Sequence, residues 1–313
     1  MSITIEGPTV RDDEPIDPTE AVPEPPTVPI PAEPAIGRAS RRRRPVAWAL
    51  LGIGVFALGF ALFLVALSPM VAARRQVVLA QRLQTLTDAG PAVETTWRPA
   101  TGDPVAVLEI PRIGVRTIVV EGTTAQQLMS GPGHFSVSSL PGGPGNVVVM
   151  GRRSTFGGPF GSIALLHKGD SITVSTGLGA FTYIVRSVQP VPSGALDVIG
   201  PTQDNQLTLV TAAAGLAPDG RTAVIARLDG DPVDLPPGPT SVTTAAETGI
   251  AGDPRGVGGL LLWGELLIAA VVVAMLLRRR VPGRVVWLLG LPIILALLWA
   301  TYLALAQVLP ATV

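Results

Sequence analysis

The chain has two histidines, His134 and His167, and no cysteine among its 313 residues. A hydroxyl nucleophile such as Thr211 or Ser154 works only beside a positioned base, so one of these two imidazoles would have to serve it. The missing thiol excludes disulfides, thiolate metal sites, iron–sulfur clusters and cysteine nucleophiles. The other chemistry on offer is cationic. Arg152, Arg153 and Arg221 carry guanidinium groups that suit bidentate carboxylate recognition. Between residues 101 and 228 there is no HExxH, GxSxG or GxxxxGK[ST], and no basic stripe interleaved with aromatics. Metal hydrolase, lipase-type, nucleotide and nucleic-acid functions therefore lack their usual support, and neither a metal nor a cofactor is expected.

These residues sit among short β-branched runs: VAVLEI, TIVVEG, NVVVMG, SITVST, FTYIVRSV, LTLVTA and TAVIARL, each bounded by Gly, Pro, Asp or Asn. Seven or eight strands within residues 101–228 argue for a single antiparallel-rich barrel or sandwich. Only residues 123–130 read as helix in this region.

The flanks are of a different kind. Charged residues make up 15% of the chain and mean hydropathy is +0.46, too apolar for an ordinary soluble domain. Residues 1–37 hold nine Pro and eight acidic residues against one basic residue, Arg11, and the sequence predicts a disordered tail ending in a basic stop at residue 45. After the arginines at 41–44, residues 45–73 carry no charge, enough to cross a bilayer, and a first span is expected at 46–73. A stalk at 74–100 should follow. Beyond the barrel come a Pro/Gly linker at 229–257, a span at 258–277, a basic turn at 278–284 and a third span at 285–309. Lys/Arg excess marks cytoplasmic flanks, so both arginine clusters predict an internal N-terminus, with the barrel and the C-terminus outside the plasma membrane. Glu265 is the one ionisable residue inside a span. It is expected to bond Thr301 or Tyr302 on the neighbouring helix, or else to act in binding or signalling.

Taken in order, LEIPRIGV (108–115), VEG (120–122), GPGH (131–134), PGGPGN (141–146), GRRSTFGGPF (151–160), KGDSITV (168–174), FTY (181–183), LTLVT (207–211) and RTAVIARL (221–228) form a series that resembles the sortase family, nearest its actinobacterial class E group. The resemblance implies a mainly β fold, a closed eight-stranded β-barrel, here accompanied by three transmembrane α-helices. It also implies a Gram-positive cell, and the excess of Arg over the single lysine, Lys168, suits a GC-rich actinobacterial genome.

The family attacks a backbone carbonyl with a Cys, uses a His as acid and base, and holds the substrate carbonyl with an Arg. By position these fall on Ala212, Arg152 and Arg221. A methyl group cannot attack, and a guanidinium stays protonated near neutrality. The sequence thus reads as a pseudo-sortase with no intact catalytic set. Its cleft retains Arg152, Arg153, Arg221, Thr211 and His134 as candidate binding residues. Arg152 either adds charge to that cleft or swings into solvent. His134 either makes a structural bond at a loop corner or lines the cleft.

Three functions follow: a membrane-anchored module that binds or positions sorting-signal peptides, a cell-wall component or an active sortase; a transpeptidase or hydrolase with a relocated nucleophile; and a membrane assembly or signalling component with the barrel as spacer. No nucleic-acid partner is expected.

Overall fold

The structure, a computed structural model, describes residues 37–88, 99–192, 197–214, 220–235 and 256–310. The chain divides into two compact units, one up to Gly52 and one from Ile53 onward. Of the first, the described part is the beginning of helix α1, Gly37–Leu62. Residues 37–45, expected within the tail, are therefore helical; the acidic stretch before them lies outside the described residues.

A π turn, Phe63–Leu67, joins α1 to α2, Ser68–Asp88. The Ser68 hydroxyl bonds back to the Leu64 carbonyl, the kind of side-chain competition that loosens a helical ladder. As far as Asp88 the expected stalk is thus a continuation of the first apolar helix and lies against the barrel; its residues 89–98 lie outside the described residues. Leu79 packs on Ile118 and Val120, and Arg82 meets Asp103 at 2.7 Å. The tightest tie is Gln76. Its Oε1 accepts the Ile118 N–H at 2.8 Å, and its Nε2 donates to the carbonyls of Ile118 at 3.1 Å and Ser130 at 2.7 Å.

Eight strands close the barrel: β1 (Pro104–Ile110), β2 (Val115–Glu121), β3 (Gly133–His134), β4 (Asn146–Met150), β5 (Ser171–Thr176), β6 (Gly179–Pro192), β7 (Gln206–Ala212) and β8 (Gly220–Leu228). Their order around the wall is β1-β2-β3-β4-β7-β8-β6-β5. Pairing is antiparallel except at β2–β3 and β4–β7. Both faces of the parallel pair β4–β7 are covered, which suits the apolar run Val147 to Met150 of β4 and leaves the two β7 threonines, Thr208 and Thr211, fully buried. Val147, Val149, Leu207 and Leu209 point into the barrel. Val148, Met150 and Val210 point the other way, onto Leu128, Phe135 and Ile199. The helix expected at 123–130 is a single turn, α3, Ala125–Leu128.

The expected linker begins as part of the barrel: the Val233 N–H donates to the Gly142 carbonyl at 2.9 Å, and Leu235 packs on the core. Residues 236–255 of that linker lie outside the described residues. Helices α4 (Gly256–Leu277) and α5 (Gly283–Val308) follow. Together with the first long helix they are three helices long and apolar enough to cross a membrane. The Tyr302 hydroxyl donates to the Phe56 carbonyl at 2.9 Å. This approach needs Gly59, where a Cβ would collide with that hydroxyl, whereas Gly52 and Gly54 meet nothing within 4 Å. The bond expected from Glu265 is not formed. Tyr302 is committed to Phe56, and Thr301 Oγ1 donates to the Leu297 carbonyl at 2.8 Å within its own helix. Glu265 is exposed, as are Leu261, Ile268 and Val272 one and two turns away on the same side of α4.

Candidate functional site

Ala212 ends β7, and its partner across the ladder is Arg221 of β8. Residues directly opposite in an antiparallel pair project from the same face, so the Arg221 side chain leaves the sheet beside the Ala212 methyl group. Both are nearly enclosed, at 4% exposure each. Burial holds the Arg221 guanidinium below its ordinary pKa.

The segment leaving β4 completes the arrangement. The Gly151 N–H donates to the Val210 carbonyl at 3.0 Å. In return, Thr211 Oγ1 donates to the Gly151 carbonyl at 2.8 Å. A Cβ at Gly151 would strike the Phe160 ring, so glycine here is what lets Phe160 enter the core. Two residues on, Arg153 Nη1 donates to the carbonyl oxygen of Ala212 at 3.4 Å. The candidate groove, at the end of β7, therefore has Ala212, Arg153 and, at the start of β8, Arg221 around it.

Arg152 is not part of it. Expected either in the cleft or in solvent, it is 1% exposed and turned into the interior. Its Nη1 donates to Thr155 Oγ1 at 3.1 Å and its Nη2 to the Ala125 carbonyl at 3.2 Å. The guanidinium carbon lies 4.9 Å from the centre of the Phe156 ring. Burial, with a smaller contribution from the nearby Arg75 charge, lowers its pKa to about 10, which still leaves it protonated at neutrality. Phe156 itself has φ of 53°, the one positive value at a non-glycine residue among those described. It is held there by its N–H donating to Ser68 Oγ at 2.8 Å and by edge contact with Phe63. The loop after β4 is thereby fastened to the first long helix.

His134 does not reach the groove either. It is fully buried, with Nδ1 2.8 Å from Glu121 Oε2 and Nε2 2.9 Å from the Ser139 carbonyl. Both ring nitrogens are used in closing β3 onto β2. His167 is exposed at a turn, where its N–H donates to Asp170 Oδ2 at 2.7 Å. Among the described residues, neither imidazole bonds Thr211 or Ser154. Ser68, Arg75 and Glu121 were not singled out from sequence. Ser68 and Arg75 looked like the end of a span, and only the pairing of Glu121 with His134 in register gives that carboxylate a role.

A barrel of this order, with its groove where β7 meets β8, defines a domain with known counterparts. Residues 108–229, the barrel, match the family model described as the sortase domain. Sortase D of Bacillus subtilis is 30% identical over 118 residues, 38% of this chain and 58% of that protein. Sortase SrtE1 of Streptomyces coelicolor is 32% identical over 99 residues, 29% of this chain and 28% of that protein. The chain thus spans little more than half of the first relative and under a third of the second. Among solved structures, sortase E of Streptomyces avermitilis is 32% identical, with 42% of this chain and 91% of that chain covered and a TM-score of 0.39.

Proposed function

We propose that this protein is a pseudo-sortase: a membrane-anchored, extracytoplasmic module that binds or positions an extended peptide, such as a sorting signal, without cleaving it. The observation that carries this reading is Ala212. It stands at the end of β7 between Arg153 and Arg221, and the chain has no thiol anywhere that could replace it. Acyl transfer needs a nucleophile and a group to take and return its proton, and a methyl beside two guanidiniums supplies neither. What such a place does offer is recognition of a carboxylate or a peptide carbonyl, for which arginine donors are suited. The orientation is read from the arginines at 41–44 and 278–284, which belong on the cytoplasmic side.

A relocated nucleophile has less support. Thr211 spends its hydroxyl proton on Gly151, and Ser154 has no imidazole bonded to it among the described residues. The spacer reading, in which the spans carry the function, draws only on the exposed position of Glu265.

The test is turnover of a fluorogenic sorting-signal peptide by the full chain in detergent. The wild type should bind the peptide and release no product. Cleavage by the wild type would overturn the reading.

A further inference from the structure

Arg152 is the largest of the fully buried side chains, and its charge has no counter-charge. The ion pairs among the described residues are Arg82–Asp103, Arg116–Glu109, His134–Glu121 and Arg186–Asp204, none of which involves Arg152. Two of its nitrogens donate to neutral oxygens. The third, Nε, is buried with no hydrogen-bond partner. A buried cation left this way is costly unless something anionic joins it.

A second cation stands nearby instead of an anion. Arg75 of α2 also has no carboxylate partner among the described residues and reaches Ser130 Oγ at 3.3 Å. Arg152 holds the Ala125 carbonyl, so the two guanidiniums grip the two ends of one short segment, 125–130. Arg75 is near enough for its charge to act on Arg152. Two like charges gathered at a poorly hydrated place raise the local potential for an oxyanion. Ser130 adds a hydroxyl, and Arg75 is only half-buried.

The level in the membrane narrows the anion. From Arg284 to Ala306 of α5 runs about 33 Å of helix at 1.5 Å per residue, close to the roughly 30 Å of a hydrocarbon core. Ala306 shares one apolar cluster with Ala72 and Phe156. Arg75 lies one turn beyond Ala72, and Arg152 rests on Phe156. The pair therefore comes at headgroup depth, where phosphate is the abundant anion.

We propose that Arg152 and Arg75 form a phosphate-binding site between the barrel and the first long helix, filled by a phospholipid headgroup or by free phosphate. The site is separate from the groove at Ala212 and does not depend on what that groove binds.

The experiment uses the full chain in a neutral detergent. Thermal unfolding is followed while either phosphatidylglycerol in mixed micelles or sodium phosphate at constant ionic strength is added. Co-purified lipid is counted by native mass spectrometry. Wild type should be stabilised and retain lipid. Arg75→Gln should lose at least tenfold in apparent affinity, Arg75→Lys should lose less, and Arg186→Gln, at an exposed ion pair on β6, should match wild type. Arg152→Gln gives a readout that a packing role would not: without added phosphate or lipid it should melt at or above the wild-type temperature, because a buried charge has been removed, and it should no longer respond to ligand. Stabilisation by lipid alone assigns the site to a headgroup, and stabilisation by both extends it to free phosphate. No response in wild type, or an undiminished response in Arg75→Gln, would overturn the proposal.

Discussion

Arg153 Nη1 lies 3.4 Å from the carbonyl oxygen of Ala212, while the adjacent Arg152 turns away to Ala125 and Thr155. The two side chains diverge, and of the pair Arg153 alone faces the end of β7. Arg153→Ala and Arg221→Ala should each weaken binding of a sorting-signal peptide roughly tenfold or more, since a hydrogen bond to a charged group is worth about 1.5–3 kcal/mol. Arg152→Gln should change it by less than about threefold, the ordinary scatter of such measurements. Titration calorimetry on the full chain checks the ranking.

Gln76 supplies both an acceptor and a donor to the backbone of Ile118. Gln76→Ala would leave the Ile118 N–H, at a residue only 7% exposed, without its partner. We expect a loss of about 2–3 kcal/mol, within the range for an orphaned buried group plus the bonds removed. Gln76→Glu keeps the acceptor and should lose less. Denaturant unfolding in detergent, followed by barrel fluorescence, measures both.

The Tyr183 hydroxyl accepts the Gly142 N–H at 2.9 Å, and burial pushes its pKa up to about 12. In the unfolded chain the phenol ionises near 10, so between about pH 10 and 12 only the unfolded state has lost this proton. Its contribution is whole below pH 10 and declines as pH rises through that window. The slope should approach about 1.4 kcal/mol per pH unit in wild type and lose that component in Tyr183→Phe. The variant should also be weaker by about 1–3 kcal/mol at neutral pH, through the unsatisfied Gly142 N–H. Unfolding as a function of pH checks both signs.

Because the chain has no cysteine, a single introduced thiol reports its own side of the membrane. Lys168→Cys, at an exposed turn, should react with an impermeant maleimide on intact cells. Arg279→Cys, between α4 and α5, should react only after permeabilisation. The reverse pattern would invert the proposed orientation.

The barrel was legible from sequence because strand signals are local: alternation and bounding turns mark most strands, and the unbroken apolar run of β4 follows from burial on both faces. The three apolar helices are likewise written in charge and length. Less legible was the direction of individual side chains. Whether Arg152 or Arg153 faces Ala212 turns on one residue of irregular backbone after β4, next to a left-handed Phe156 that no propensity announces. The grip of Gln76 on Ile118 joins residues 42 positions apart, and nothing local distinguishes that glutamine from its neighbours. Glu265 was expected to meet Thr301 or Tyr302, but a count of residues along a helix does not say which way a side chain points.

The amide of Gln76 pairs with β2 much as the edge of another strand would, and Phe156 is anchored to Ser68 on the same long rod. Such a barrel is mounted on a mast, not tethered by a cord. The end of β7 keeps a fixed bearing relative to that helix, so any pull on the barrel passes straight into the shaft.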